Sequence, residues 1–339
     1  MKVAMFYSQL EDKKVQCGLC NHRCVIPKNK TGLCGVRLNE EGVLYSLVYG
    51  KVIAQHLDPI EKKPLFHFLP GSWSYSISTV GCNFKCSFCQ NFEISQYPFL
   101  FGEIAGKPMS PKQVVEAAAI NDAKSISYTY TEPTVYFEFA YDCAKLAVKR
   151  GIKNVFVSNG YMTKEVIDAI SPYLHGINVD LKAFREEFYK KHCKARLQPV
   201  LDTLKYIKKK GIWLEVTTLI IPGENDSTEE LKDIAEFIKT ELGPETPWHI
   251  SRFYPQFKMT DKPFTPEETL VKAFYIGKEA GLYYIYIGNV PGNQYEHTYC
   301  PNCNYPVIER YGFRIVKYDL TQDGRCPKCG IELHGVFKE

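Results

Sequence analysis

Three cysteines, Cys82, Cys86 and Cys89, follow the spacing C-x3-C-x2-C inside segment 79–91. A [4Fe-4S] cubane is normally tied down by four thiolates, so a three-thiolate loop leaves one iron open to bind and activate a small molecule. A zinc or purely structural cluster site, completed by a distant fourth ligand, would use the same three residues. Two more cysteine sets flank them. Cys300, Cys303, Cys326 and Cys329 make two C-x2-C knuckles separated by residues 304–325. Four thiolates at this spacing suit a closed tetrahedral zinc site close to a zinc ribbon, with rubredoxin-like iron as the rival. Cys17, Cys20, Cys24 and Cys34 give C-x2-C-x3-C-x9-C, which suits zinc or a second iron-sulfur cluster, with His22 as a possible substitute ligand. Of the two remaining cysteines, Cys143 falls in a helical stretch and reads as a small core residue, whereas Cys193 is placed where it could face a substrate.

Reactive groups of this kind need rigid elements behind them, and segment 75–288 supplies alternating β-rich and amphipathic runs. Strands are expected over 75–80, 125–130, 154–158, 176–179, 212–220, 249–253 and 283–287. Helix starts are signalled by Ser110-Pro111-Lys112-Gln113, Ser227-Thr228-Glu229-Glu230 and Thr265-Pro266-Glu267-Glu268, each read as a capping-box device. Six or seven strands alternating with helices imply a parallel sheet, because each parallel connection needs a crossover. An eight-unit barrel would need about 250 residues. The expected fold is therefore α/β, an incomplete (βα)6-type barrel, with an open side that would admit a bulky substrate. Small cysteine-rich metal-binding modules are expected at both ends, dividing the chain into 1–70, 71–292 and 293–339.

In parallel α/β folds the reactive residues gather just beyond the C-terminal ends of the strands. The three-cysteine segment follows the first expected strand, and Thr131-Glu132-Pro133-Thr134 the second. Ser158-Asn159-Gly160 follows the third, either as a plain Asn-Gly turn or as a hydrogen-bonding site for ribose or carboxylate oxygens through Asn159. Asp180-Leu181-Lys182 follows the fourth, as a surface ion pair or as a cofactor contact. Glu132 alone reads equally as an acidic first-turn helix residue. His249, in the sixth strand, reads as a satisfied core histidine or as a neighbour of the cofactor.

The Cys82, Cys86 and Cys89 spacing, with Phe88 as the aromatic before the last cysteine, resembles that of radical S-adenosylmethionine enzymes. The resemblance implies a [4Fe-4S] cluster whose open iron is chelated by S-adenosylmethionine, and reductive cleavage of the sulfonium to a 5'-deoxyadenosyl radical. It places Glu132 where a Gly-Gly-Glu-Pro-like turn holds the methionine ammonium, to which a carboxylate makes a strong charge-assisted hydrogen bond. The series Tyr130-Thr131-Glu132-Pro133-Thr134, Ser158-Asn159-Gly160, Asp180-Leu181-Lys182 and Tyr286-Ile287-Gly288-Asn289-Val290-Pro291-Gly292 narrows the resemblance. It is similar to the radical S-adenosylmethionine protein of the AmmeMemoRadiSam system, a family related to the activating enzymes of glycyl-radical enzymes such as pyruvate formate-lyase. Implied partners are S-adenosylmethionine, an electron donor such as ferredoxin or flavodoxin, and a protein substrate or partner of that system. The cysteine clusters at both ends depart from the activating enzymes and put in doubt a direct transfer of their substrate, a partner protein's glycine.

Composition bounds the reading. With 339 residues, 45% of them hydrophobic, the chain can bury a full core. A formal net charge of only +4 argues against a protein devoted to gripping a nucleic-acid backbone, and so disfavours the rival reading as a tRNA-modifying radical enzyme. A metal-binding scaffold with a structural cluster is the rival from another class. No run of eighteen apolar residues and no signal-peptide core occurs, so a cytoplasmic protein is expected. Eleven of the 13 cysteines fall in tight groups, which fits metal ligation in a reducing compartment better than disulfides.

Overall fold

The structure, a computed structural model, describes residues 1–338. Its centre is an eight-stranded sheet: β1 (Ala54–Pro59), β2 (Trp73–Ser78), β3 (Ser125–Tyr128), β4 (Lys153–Ser158), β5 (Gly176–Asp180), β6 (Trp213–Ile220), β7 (Trp248–Arg252) and β8 (Ile285–Gly288), in that spatial order. From β2 to β8 every pairing is parallel, and all seven parallel strands are the ones the sequence pattern marks. Their residues are buried almost throughout, as expected when helices cover one face and the opposite face closes on itself. Six helices make the crossovers: α1 (Pro111–Ile120), α2 (Phe137–Val148), α3 (Lys164–Ile170), α4 (Gln198–Lys209), α5 (Thr228–Phe237) and α6 (Glu267–Ala280). The result is six βα units and a closing strand, in agreement with the expected incomplete barrel. Strand β1, which the sequence pattern did not mark, pairs antiparallel with β2 from Ala54 opposite Ser78 to Pro59 opposite Trp73.

The capping signals divide. Ser110 and Gln113 form the full capping box of α1, and Ser227 accepts the Glu230 N–H at the start of α5. Thr265 does not cap α6: its hydroxyl donates to the Ile220 carbonyl at 2.6 Å and accepts the Phe253 N–H at 2.9 Å, so it joins the ends of β6 and β7 instead. On α2, Phe137, Ala140, Cys143, Ala144 and Ala147 form the stripe that packs on the sheet. Cys143 is thus a core residue, as read from the sequence.

The N-terminal segment folds into two small antiparallel sheets, Lys2–Val3 with Val43–Ser46 and Arg37–Glu40, and Tyr7–Gln9 with Val15–Cys17 and Val25–Ile26. It has no separate core; Val15, Leu19, Val36 and Leu44 belong to the same apolar cluster as the barrel. It docks beside the end of β4, where Cys20 bridges to Met162 and the Thr163 hydroxyl donates to the Gly18 carbonyl at 2.8 Å.

The C-terminal segment forms β9 (Thr298–Tyr299), β10 (Pro306–Tyr311) and β11 (Arg314–Tyr318) around its own small core of Val307, Ile308, Leu320 and Leu333. It ties the two edges of the barrel together. Arg310 donates to the Phe66 carbonyl at 2.9 Å, between β1 and β2, while Thr298 bonds Tyr286 of β8 at 2.9 Å. Residues 67–69 also pair with Val336. The side of the barrel expected to stand open is therefore crossed by this module. Among the described residues no helix is long and apolar enough to cross a membrane.

Candidate active site

The loop after β2 carries Cys82, Cys86 and Cys89 into a cavity of about 510 Å³ at the C-terminal ends of the parallel strands. Cys82, Cys86, Phe88, Cys89, Glu132, Ser158, Asn159, Asp180 and Lys182 all line it. Four successive strand ends thus supply one wall each, which is why residues more than ninety positions apart meet.

Glu132 is 2% exposed and accepts four hydrogen bonds. Oε1 takes the Thr134 N–H at 3.1 Å, the Thr134 hydroxyl, and the Ser158 hydroxyl at 2.9 Å; Oε2 takes the Asn159 N–H at 2.8 Å. Burial holds this carboxyl above its ordinary value, and the hydrogen bonds offset only part of that rise. Glu132 also caps the short turn Pro133–Tyr136, so the helix-terminus reading and the site reading describe one carboxylate. Oε2, with a single partner, keeps a free lone pair on the cavity wall.

Asn159 is engaged by the chain itself: Nδ2 donates to Asn83 Oδ1 at 2.7 Å and Oδ1 accepts the Tyr161 N–H at 3.2 Å. It links the cysteine loop to the end of β4. Asp180 and Lys182 pair at 2.9 Å on the cavity wall, with the Lys182 side chain only 13% exposed. Burial works against that ammonium, yet Asp180 and Cys86 outweigh it and hold Lys182 well above its ordinary value. Burial pushes the Cys82 thiol up, with Glu132 and Cys86 adding to the shift.

Three expected positions differ. His249 lies at the second position of β7, away from the C-terminal edge, and does not line the cavity. Its Nε2 bonds buried Glu215 at 2.6 Å and its ring stacks on Tyr286, so it is a satisfied core histidine. Cys193 does not face a substrate: it is fully buried and does not line the cavity, and its neighbourhood draws the Cys86 thiol down. His22 Nε2 is taken by the Asn83 carbonyl at 2.8 Å, which leaves it unsuited as a ligand through that atom.

Lys63 and Phe313 also line the cavity, and neither carries a strand-end signal in the sequence. Lys63 is 1% exposed; burial lowers its ammonium to about 8 despite a 2.6 Å ion pair with Asp58. Asp58 is also held well below its ordinary value, because Lys63, Tyr130 and Lys62 all bond it and outweigh its own burial. Phe313 comes from the tip of the β10–β11 hairpin.

At the C-terminus the four sulfurs lie within 4.8 Å of one another, with Cys300 to Cys329 at 3.5 Å and Cys303 to Cys326 at 3.6 Å. A tetrahedral ion with metal–sulfur bonds of about 2.3 Å needs sulfurs about 3.8 Å apart. The set is arranged for a single ion.

The model of the Radical SAM superfamily matches residues 76–238, the stretch from β2 to the end of α5. The chain is 49% identical over 339 residues to the uncharacterized protein MJ0808 of Methanocaldococcus jannaschii, covering 99% of this chain and 100% of that protein. It is 27% identical over 216 residues to MJ1632 of the same organism, which carries the name of a glycyl-radical enzyme activating enzyme, covering 62% of this chain and 77% of that one. In fold it is similar to a radical SAM methyltransferase from Sphaerobacter thermophilus, with a TM-score of 0.51, 15% identity, and coverage of 65% and 67%.

Proposed function

The chain belongs to the radical S-adenosylmethionine superfamily, as an enzyme related to the activating enzymes of glycyl-radical enzymes, and from that premise we propose that Cys82, Cys86 and Cys89 hold a [4Fe-4S] cluster for reductive cleavage of S-adenosylmethionine. The observation that carries this reading is three unpaired thiols opening into one cavity beside the fourfold-bonded Glu132. The donor set fits the group: three sulfurs bind three corners, and the fourth thiol nearby, Cys193, sits behind Cys86 rather than on the cavity wall. When bound, the cluster and S-adenosylmethionine supply an electron and a 5'-deoxyadenosyl radical that abstracts a hydrogen atom.

The protein's part is to bind, orient and shield. Glu132 Oε2 accepts the methionine ammonium, and Ser158 and the Asn159 N–H lock that carboxylate in place. Asn159 holds Asn83 and with it the backbone next to Cys82. Asp180 and Lys182 form the polar wall beside the cofactor, and Phe88 fills the space between loop and barrel. His249 takes no part. The C-terminal thiolate set would hold a tetrahedral ion, which we assign as zinc.

The finer assignment, to the radical S-adenosylmethionine proteins of the AmmeMemoRadiSam system, is supported by the motif series around Glu132, Asn159, Asp180 and Asn289. The electron comes from a ferredoxin or flavodoxin, the substrate is a partner protein, and the enzyme works in the reducing cytoplasm. The modest net charge of +4 favours a protein over a nucleic acid.

The test is anaerobic reconstitution with iron and sulfide, then reduction with S-adenosylmethionine and measurement of 5'-deoxyadenosine. Wild type is expected to form it and Cys86→Ala is not. No product from a cluster-replete wild type, with or without candidate partner proteins, would overturn the reading.

A further inference from the structure

We infer that Cys17, Cys20, Cys24 and Cys34 hold a second [4Fe-4S] cluster, not zinc. All four line one cavity between the N-terminal sheets and the barrel. Two of the residues that line the same cavity, Asn83 and Arg37, are each only 2% exposed and carry a buried side-chain N–H, Asn83 Nδ2 and Arg37 Nε, without a hydrogen-bond partner among the described residues. Orphaned buried donors are rare because each gives up its hydrogen bonds to water without a replacement. They have to meet an acceptor, and a thiolate-ligated cluster offers sulfur atoms that accept such bonds.

Sulfur spacing separates the two candidate metals. Among the described residues, the C-terminal cysteines draw to within 4.8 Å of one another, as a single ion requires. The N-terminal four share a cavity without forming such a single-ion set among the described residues. A cubane binds each thiolate through a different iron, so its four sulfurs stand well apart around the core. The four thiols are free of disulfides, and Leu19, Leu33 and Val135 supply apolar lining around them.

The site is built into the active-site wall. Asn83, which lines the N-terminal cavity, is the neighbour of Cys82 and accepts from Asn159 at 2.7 Å. Thr134 borders the same cavity and donates to Glu132. One residue layer therefore separates the two cysteine sets.

Metal content decides the matter without reference to S-adenosylmethionine, so it stands or fails separately from the proposed activity. The probe is iron and sulfide supplied anaerobically, with iron, sulfide and zinc counted per chain. The Cys82→Ala/Cys86→Ala/Cys89→Ala variant, which lacks the three-thiolate loop, is expected to keep half the iron of wild type and a reduced-cluster electron paramagnetic resonance signal. Adding Cys20→Ala and Cys24→Ala to it should remove the remaining iron. A triple variant with two zinc ions and no iron would overturn the inference. If that variant does not fold, the wild type decides: eight irons and one zinc support a second cluster, four irons and two zinc exclude it.

Discussion

The carboxylate of Glu132 accepts the backbone N–H of Asn159 at 2.8 Å, so the turn after β3 is fastened to the turn after β4 by one side chain. This carboxylate has a structural and a ligand-binding function at once, and the two separate by substitution. Glu132→Gln puts an NH2 group where one oxygen accepted, opposing existing donors, and removes the charge for an ammonium. A hydrogen bond to a charged group contributes about 1.5–3 kcal/mol. S-adenosylmethionine affinity, measured anaerobically by calorimetry on cluster-loaded protein, should fall about tenfold or more, with iron content unchanged. Unchanged affinity would remove Glu132 from the cofactor site.

Arg37 and Glu138 form a two-pronged ion pair at 2.8 and 2.9 Å, 2% and 1% exposed, and Glu138 also accepts the Met5 N–H at 2.7 Å. Glu138→Gln leaves a buried guanidinium uncompensated and should cost about 3–5 kcal/mol in urea unfolding. Arg37→Met/Glu138→Leu removes both charges and should recover part of that loss, the remainder reflecting the Arg37 contact with the N-terminal cysteine site. Burial opposes the Glu138 charge, but Arg37 outweighs it and lowers its pKa in the fold. The contribution is thus full above the ordinary carboxylate range and is lost as pH falls through the lowered value. Unfolding free energy measured down through acid pH should drop more steeply for wild type than for the double variant.

The C-terminal module has four apolar core side chains of its own, Val307, Ile308, Leu320 and Leu333. At about 1.5–3 kcal/mol each, they cannot offset about 1–2 kcal/mol for every residue ordered. One zinc per chain is therefore expected. Its removal by chelation should raise hydrogen exchange across residues 298–336 while strands β3 to β6 stay protected. Iron in this site, seen by its thiolate-to-metal absorption, would contradict the zinc assignment.

Much of this was legible in the sequence because parallel strands are buried on both faces and read as apolar runs, and because Ser110 and Ser227 act locally. Thr265 misled because its hydroxyl found distant partners in Ile220 and Phe253. Strand β1 was hidden because it is an edge strand, with Gln55, His56 and Leu57 exposed and no period-two pattern. Lys63 reaches the cavity only through the closure of the sheet, which no local pattern records. For His249, strand position decided between two sequence readings: it sits at the beginning of β7, whereas the site forms at strand ends.

Gly81, one residue before Cys82, has φ +97, and a Cβ added there would lie 2.5 Å from Val36 Cγ1 and 3.1 Å from the Cys34 carbonyl. The close approach presses the cysteine loop against the N-terminal cysteine module, and glycine alone fits it. Gly81→Ala should lose about 1–2 kcal/mol to the left-handed backbone and about 1–3 kcal/mol to overpacking. Gly81→Ala/Val36→Ala relieves the side-chain clash but not the backbone strain, and its thermal midpoint should remain below that of Val36→Ala. Because the displaced backbone carries Cys82 on one side and Cys34 on the other, iron retained after reconstitution should fall in Gly81→Ala. A Gly81→Ala protein with wild-type stability and full iron would mean that the two modules are not mechanically joined at this contact.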